Sequence, residues 1–303
     1  MPDSSPLPRP ALGFIGLGLM GTPMTRNLLR GGYAVHGWAR SPQKLRHLMS
    51  EGLELHEDIG ELVAHCDIIM LCVSDTDAVR EVVFAPGGIA DHARPGQLLV
   101  DFSSIAPEAT REMAAQLQQD CGCDWVDAPV SGGVAGAENA SLVIMAGGRT
   151  EALTQLQPVF SHLSQRVTHM GDTGTGQATK VCNQMLVSCN LLVMAEVIAL
   201  AEQAGVDATR LPQALQGGFA DSLPLQITGP RMAARDLDEV RWHVRTLLKD
   251  LTLAQQLAAS SQSDTPMSDL ARTLMQAHAD AGYRDRDPAT LIEAYSHNPG
   301  SQS

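Results

Sequence analysis

The chain has 303 residues, which is enough for one large domain or two domains of medium size. Hydrophobic residues make up 44% and charged residues 18%, an ordinary mixture for a globular protein. The net charge of −13 argues against nucleic acid as a partner, because phosphate binding needs a concentrated basic surface. The polar start does not resemble a signal peptide, and no apolar run approaches the roughly 20 residues that span a bilayer. We therefore expect a cytoplasmic protein without a membrane partner.

The first half of the chain alternates short β-rich runs with helical stretches. Near-continuous apolar runs, such as IIMLCV at 68–73 and LLVDF at 98–102, are typical of strands buried on both faces of a parallel sheet. The alternation predicts an α/β fold with a doubly wound, Rossmann-type sheet. Strands are predicted at 12–17, 34–38, 68–73 and 98–102, with further candidates at 124–128, 142–146 and 166–169. Helices are predicted at 20–29, 42–51, 57–65, 77–84 and 107–120.

The pattern changes near residue 171. Residues 177–203 contain neither proline nor glycine, which predicts a helix about 40 Å long. Apolar residues occur nearly all round this long interdomain helix, so we expect it to be buried on most sides. Everything after 207 indicates helix, including 243–260, 266–282 and 288–295. The predicted organisation is a Rossmann domain for NAD(P) at 11–170, an all-α substrate and dimerisation domain at 171–297, and disordered ends at 1–10 and 298–303.

A glycine-rich turn follows the first predicted strand and precedes a helix. The segment GLGLMG fits G-x-G-x-x-G, in which the glycines permit a tight turn, close approach of a pyrophosphate and tight helix packing. The helix N-terminus then faces the negative charge. Alone the motif would be an ordinary turn, but its context predicts dinucleotide binding. The residues concerned are Gly16, Leu17, Gly18, Leu19, Met20 and Gly21.

The end of the second predicted strand bears on which dinucleotide is bound. An acidic residue there would hold the ribose hydroxyls of NAD, but the sequence continues as Trp38, Ala39, Arg40 and Ser41. Arg40 is suited to a 2′-phosphate, or it is a solvated surface arginine. The sequence therefore favours NADP slightly and leaves NAD open.

Three further clusters carry candidate chemistry. Ser131, Gly132 and Gly133 end the segment DAPVSGG, and their backbone N–H groups would form a cradle for a carboxylate, or simply a strand-ending turn. On the long helix, spacings of three and four place one lysine and two amides on one face. They are costly to bury without partners, although a lysine stem can pack while its charge reaches solvent. These three are Lys180, Asn183 and Gln184, and the third cluster is the pair Lys249 and Asp250.

Taken together, the motifs resemble the β-hydroxyacid dehydrogenases, a family that includes 3-hydroxyisobutyrate dehydrogenase and tartronate semialdehyde reductase, with 6-phosphogluconate dehydrogenase more distant. The resemblance covers residues from about 11 to 295. Five motifs occur in the family's order and spacing. They are GFIGLGLMG at 13–21, DFSSIAP at 101–107, DAPVSGG at 127–133, GTGQATKVCNQ at 174–184 and KDLTLA at 249–254.

The resemblance implies roles for individual residues. Lys180 matches the family's catalytic lysine, the general acid in reduction and the base in oxidation. The Ser131–Gly133 segment matches the part that binds the substrate carboxylate. Gln184 stands where many members have asparagine, so whether it or Asn183 touches substrate stays open. Expected beside the cofactor are Ser74, Ser103, Ser104 and Lys249, and Trp242 stands where relatives often have phenylalanine.

The expected reaction is reversible hydride transfer between a nicotinamide and a small 3-hydroxy acid or its semialdehyde. The segments DFSSIAP and LQGGFADS (215–222) look closest to tartronate semialdehyde (2-hydroxy-3-oxopropionate) reductases. 3-Hydroxyisobutyrate, a four-carbon hydroxy acid and succinic semialdehyde remain competitors. The alternatives in other classes are a non-catalytic dinucleotide-binding protein and an imine reductase. The family also implies a homodimer or homotetramer with the long helix at the contact, and no cysteine or histidine spacing indicates a metal.

Overall fold

The computed structural model describes residues 9–295, so the disordered ends predicted at 1–10 and 298–303 lie almost wholly outside the described residues. The chain forms two compact units, Met1–Lys180 and Val181–Ser303. The division falls within one continuous helix, Thr175–Gln203. Each unit has its own hydrophobic core.

The first unit contains a nine-stranded sheet in the order β3-β2-β1-β4-β5-β6-β8-β7, with β9 pairing with β8. The first six strands are parallel, β8 runs antiparallel to β6 and β7, and β9 is parallel to β8. This arrangement confirms the predicted Rossmann-type sheet. The short strands β3 and β7 were outside the prediction. The strands are Leu12–Ile15 (β1), Val35–Trp38 (β2), Glu54–Leu55 (β3), Ile68–Leu71 (β4), Leu98–Asp101 (β5), Asp124–Asp127 (β6), Val130–Ser131 (β7), Leu142–Gly147 (β8) and Ser164–Gly171 (β9).

Helices connect the strands and begin where side chains satisfy their first N–H groups. The carboxylates of Asp58 and Asp75 accept hydrogen bonds from the backbone N–H groups of Glu61 and Ala78, which is a common helix start. The prediction missed α5, α7 and α8. The helices are Gly21–Arg30 (α1), Arg46–Ser50 (α2), Ile59–His65 (α3), Thr76–Phe84 (α4), Ile89–His92 (α5), Pro107–Cys121 (α6), Gly133–Glu138 (α7), Thr150–Phe160 (α8) and Thr175–Gln203 (α9), with a 3₁₀ turn at Pro42–Leu45.

The sheet is buried on both of its faces. Successive residues of a strand point to opposite sides, so Ile68 and Met70 enter one core cluster while Ile69 and Leu71 enter another. Helices α1 and α8 cover the first face, and α3, α4 and α6 cover the second. The continuous apolar runs in the sequence are therefore explained by burial of these strands on both faces of the sheet.

The second unit is helical throughout its described length, but the helices are interrupted. The expectation of helix everywhere after 207 is wrong for the loops at 216–222 and 235–243. The helix predicted at 266–282 ends at His278 and continues as a π-helical turn. The elements are a 3₁₀ turn at Ala208–Arg210, Leu211–Leu215 (α10), Leu223–Ala234 (α11), Val244–Ser260 (α12), Pro266–His278 (α13), the π turn Ala279–Tyr283 and 3₁₀ turns at Pro288–Tyr295.

The long helix α9 differs from its prediction in two respects. It is not buried on most sides, because Leu186, Val193, Val197 and Leu200 are between 42% and 76% exposed. By length and composition it is also apolar enough to cross a membrane, which corrects the expectation that no segment approaches that length. The core helix of a soluble protein passes the same test, so this single helix is weak evidence for a membrane.

Candidate active site

The carboxyl ends of β1, β4 and β5 lie side by side at one edge of the sheet. The backbone N–H of Cys72 donates to the carbonyl of Ile15 at 2.9 Å, and that of Phe102 donates to Leu71 at 2.8 Å. Because β2 and β4 flank β1 on opposite sides, the direction of the strand order reverses at this point. Doubly wound sheets bind dinucleotides at such a reversal.

The glycine turn after β1 fits the pyrophosphate of a dinucleotide. Gly16 has φ +95°, and a Cβ there would lie 2.2 Å from the carbonyl oxygen of Cys72, so only glycine is tolerated. A Cβ on Gly18 would meet nothing within 4 Å, which leaves its backbone open to a ligand. Helix α1 begins at Gly21, and its N-cap residue Met20 makes no side-chain capping hydrogen bond. In the first turn the N–H of Thr22 donates to the carbonyl of Gly18 at 3.0 Å and Pro23 has no N–H, so the groups suited to phosphate oxygens are the N–H of Gly21 and those of the glycine turn before it.

The other predicted cofactor residues in this unit lie beyond the ends of neighbouring strands. Arg40 is exposed just past β2, and Ser74 is exposed just past β4. Ser103 is instead buried. Its hydroxyl accepts a hydrogen bond from the N–H of Val73 at 2.9 Å. Ser103 therefore joins the loops after β4 and β5, whereas Ser104 next to it is half-buried.

The first turn of α9 is anchored to the same edge of the sheet by Asp127, the last residue of β6. Its carboxylate is fully buried and accepts hydrogen bonds from the N–H groups of Gly174 at 2.7 Å and Gln177 at 2.8 Å. Burial raises the pKa of Asp127, while these N–H groups favour the carboxylate and act in the opposite direction. The carboxylate supplies acceptors for orphan donors at the start of a long helix.

Gln177 connects the same helical turn to the loop after β5. Its buried side chain donates to the carbonyl of Ser103 at 2.7 Å and accepts from the N–H of Ile105 at 3.2 Å. Lys180 is half-buried and lies three residues further along the helix. Residues three apart are neighbours on a helix surface. Lys180 therefore lies on the same face of α9 as Gln177, the face that meets this loop.

The candidate carboxylate cradle follows β7. Gly132 and Gly133 have φ values of +132° and +62°, which side chains other than hydrogen tolerate poorly. Both are exposed, and Gly132 precedes α7, which has no side-chain capping hydrogen bond. Ser131 is half-buried beside them. Successive N–H groups in such a conformation form an anion-binding concavity.

The second unit contains a separate chain of polar contacts. The amide of Asn183 donates to the side-chain oxygen of Gln184 at 2.8 Å, and Gln184 donates to Asp250 at 2.5 Å. Asp250 is buried and lies 3.2 Å from the ammonium of Lys249. Trp242 is half-buried just before α12. Three predicted residues therefore share one hydrogen-bonded group within this unit.

Three residues in these networks received no role of their own from the sequence, although Asp250 was named there as the neighbour of Lys249 and Asp127 begins the DAPVSGG segment. They are Asp127, Gln177 and Asp250, each buried and each with hydrogen bonds to a predicted site residue or to its helix. Their signal was available, because each is a polar residue at the end of an apolar strand or on an apolar helix. Such residues are costly to bury without partners.

Comparisons with known proteins agree with this arrangement. A family model described as the NAD binding domain of 6-phosphogluconate dehydrogenase matches residues 11–171. A second, described as the NAD-binding of NADP-dependent 3-hydroxyisobutyrate dehydrogenase, matches residues 174–295. The 2-hydroxy-3-oxopropionate reductase of Escherichia coli K12 is 38% identical over 283 residues, which cover 93% of this chain and 96% of that relative.

Two solved structures are similar over nearly their whole length. The 3-hydroxyisobutyrate dehydrogenase of Mycobacterium tuberculosis with L-serine has a TM-score of 0.86 and 29% identity, covering 96% of this chain and 100% of that one. Psf3 in complex with NADP+ and 2-OPP has a TM-score of 0.85 and 28% identity, covering 94% and 100%.

The fold, the glycine turn and these matches define an NAD(P)-dependent oxidoreductase, which confirms the predicted cofactor and enzyme class. The chain belongs to the β-hydroxyacid dehydrogenase family, as its five motifs indicated. It is a hydroxy-acid dehydrogenase of the 3-hydroxyisobutyrate or tartronate semialdehyde reductase type.

Proposed function

We propose that this enzyme reduces 2-hydroxy-3-oxopropionate reversibly, with Lys180 as the group that exchanges a proton with the substrate oxygen. The observation that carries the proposal is the hydrogen bond from Gln177 to Ser103 at 2.7 Å. It holds the helical turn before Lys180 against the loop that the family places beside the nicotinamide. The lysine is therefore attached to the cofactor edge of the sheet through a short, buried connection.

The bound cofactor supplies the hydride at its nicotinamide C4. In the reduction direction, negative charge develops on the substrate's carbonyl oxygen, and an ammonium at Lys180 stabilises that charge and donates a proton. In oxidation, the neutral amine accepts the proton of the hydroxyl group. Ser131, Gly132 and Gly133 hold the substrate carboxylate through hydroxyl and N–H groups, which removes much of the entropic cost of the encounter.

The choice of substrate is supported by similarity to the Escherichia coli reductase at 38% identity. 3-Hydroxyisobutyrate is the second candidate, supported by the family model for residues 174–295 and the Mycobacterium tuberculosis structure. A panel of semialdehydes and 3-hydroxy acids, each assayed with NADH and NADPH, tests the proposal. We expect the highest kcat/KM with 2-hydroxy-3-oxopropionate. A higher kcat/KM with another compound would refute this choice of substrate.

The role of Lys180 is tested by Lys180→Ala. We expect turnover to fall by a factor on the order of 10² to 10⁴, the usual contribution of a positioned acid or base, with little change in cofactor Kd. Cys182→Ala, an exposed position two residues further along α9, is the matched control and should keep its turnover. Near-normal turnover in Lys180→Ala would remove the lysine from this role.

We propose NADP as the preferred cofactor because Arg40 is exposed beyond β2 and suits a 2′-phosphate. Arg40→Ala should then weaken NADPH binding and leave NADH binding unchanged. Equal effects on the two cofactors would contradict this assignment.

We further propose a cytoplasmic homo-oligomer in which α9 forms part of the contact. Support comes from the four exposed apolar side chains of α9, since a contiguous apolar face commonly marks an interaction surface. The cysteines are all free thiols, which suits a reducing compartment. Light scattering should give a dimer or tetramer that Leu200→Glu weakens, and a monomeric wild-type protein would refute this proposal.

A further inference from the structure

Two histidines and a glutamate meet at the edge of the sheet formed by β2 and β3. His36 in β2 is the register partner of Glu54 in β3, so their side chains emerge on the same face. His56 follows Glu54 by two residues and returns to that face. His36 Nδ1 lies 2.9 Å from His56 Nε2 and 3.7 Å from the Glu54 carboxylate.

These distances suit three ligands of one small cation. Zinc binds imidazole nitrogen at about 2.0–2.1 Å, so two ligands of a tetrahedral ion are about 3.3 Å apart. One potential ligand atom from each of the three residues lies within 4.8 Å of the other two. The nitrogens of His36 and His56 form a hydrogen bond with each other, and an ion would replace that bond as the two nitrogens separate by a few tenths of an ångström. Three protein ligands would leave one coordination position for water.

The surroundings hold the imidazoles in place. The side chains of His36 and His56 are only 10% and 8% exposed, while Glu54 reaches solvent at 65%. His65 stacks on the ring of His56 at 5.0 Å between centroids, and the second nitrogen of His56 lies 3.9 Å from the carboxylate of Glu61, which is beyond hydrogen-bond distance.

The donor set selects the class of ion. Imidazole suits zinc, copper and nickel, whereas calcium and magnesium prefer oxygen ligands. We propose that His36, His56 and Glu54 form a binding site for one zinc-type divalent ion. The site departs from the sequence expectation of no metal, because it depends on a pairing between strands that the sequence does not display.

The ion would clamp the edge of the sheet. Strand β3 has two residues and pairs only with β2 among the described strands, so few backbone hydrogen bonds hold it. Coordination would join β2, β3 and the residue that follows β3. This role is structural and independent of the proposed hydride transfer.

The test uses the untagged, chelator-treated full-length protein. Titration calorimetry with Zn²⁺ and the visible spectrum with Co²⁺ should show one ion per chain in tetrahedral coordination, and Zn²⁺ should raise the Tm. His56→Gln and Glu54→Gln should each weaken binding at least tenfold. Glu61→Gln should weaken it less than either of these, because the Glu61 carboxylate lies beyond hydrogen-bond distance of His56.

His47→Gln is the matched control, because His47 is an exposed histidine on α2 outside the cluster. It should bind Zn²⁺ as the unsubstituted chain does. Circular dichroism of each apo variant separates loss of a ligand from loss of fold. Absence of stoichiometric binding, or equal affinity in His56→Gln and His47→Gln, would overturn the proposal.

Discussion

Replacing Gln177 with alanine tests how the start of α9 is held against the sheet. The side chain is fully buried and makes two hydrogen bonds, one to the carbonyl of Ser103 and one from the N–H of Ile105. Alanine leaves both backbone groups without these partners and opens a cavity where the side chain lay. The loop after β5 and the turn before Lys180 would then lose the link between them.

The magnitude follows from the two groups left unpaired. Each buried donor or acceptor without a partner costs about 1–3 kcal/mol, so we expect Gln177→Ala to lower the free energy of unfolding by about 3 kcal/mol. A domain with about 5–15 kcal/mol of stability remains folded after such a loss. Gln177→Glu keeps the acceptor for Ile105 but turns a carboxylate oxygen towards the carbonyl of Ser103, so it should also destabilise.

Urea unfolding followed by tryptophan fluorescence measures the stability of the first structural unit, which contains Gln177. In a Trp242→Phe background the remaining tryptophans, Trp38 and Trp125, both lie in the first unit. Gln157→Ala is the matched control, because Gln157 is exposed on α8 and its replacement should change stability by less than about 0.5 kcal/mol. The cofactor KM of Gln177→Ala should also rise. If Gln177→Ala is as stable as Gln157→Ala, the anchoring argument is wrong.

Three other outcomes are expected. Arg231→Met leaves Asp287 buried without the guanidinium 2.9 Å away and should cost about 3–5 kcal/mol in thermal or urea unfolding. Burial lowers the pKa of His278 from 6.5 to about 4, so its contribution to stability is complete above pH 6.5 and is lost as the pH falls towards 4. The loss is at most about 3 kcal/mol, and a His278→Gln variant whose unfolding keeps the same pH dependence would exclude it. Gly18→Ala should keep its Tm but bind cofactor more weakly, because a Cβ at Gly18 meets no protein atom within 4 Å. Gly16→Ala should lower the Tm, because its Cβ would lie 2.2 Å from the carbonyl oxygen of Cys72. Equal melting curves for the two variants would contradict this difference.

The fold was predictable where the hydrophobic pattern was strong. The strands at β1, β4 and β5 were predicted to within two residues, because apolar runs of that kind are buried on both faces of a parallel sheet. Helix α8 was missed, and it contains Pro158 in its last turn, a residue that usually interrupts a helical pattern. Strand β3 was missed because two residues carry no period.

The candidate site was predictable only as far as its motifs extend. The glycine turn and Lys180 follow from local sequence, whereas the partners of Gln177 and the meeting of His36 with His56 depend on which distant segments become neighbours. The amino-acid composition of α9 also could not predict that part of this helix is exposed. A helix that is apolar all round is expected to be covered, but composition does not show which of its residues the rest of the chain covers.

The polar side chains of α9 explain how an apolar helix carries a lysine in a defined place. Gln177 is bound to the loop after β5 within the first unit, and Gln184 is bound to Asp250 within the second. Lys180 lies between these two amides, three residues after one and four before the other, so each neighbouring turn of its helix is fixed by a buried hydrogen bond. The backbone of α9 around Lys180 is therefore held by two buried side chains on the same helix.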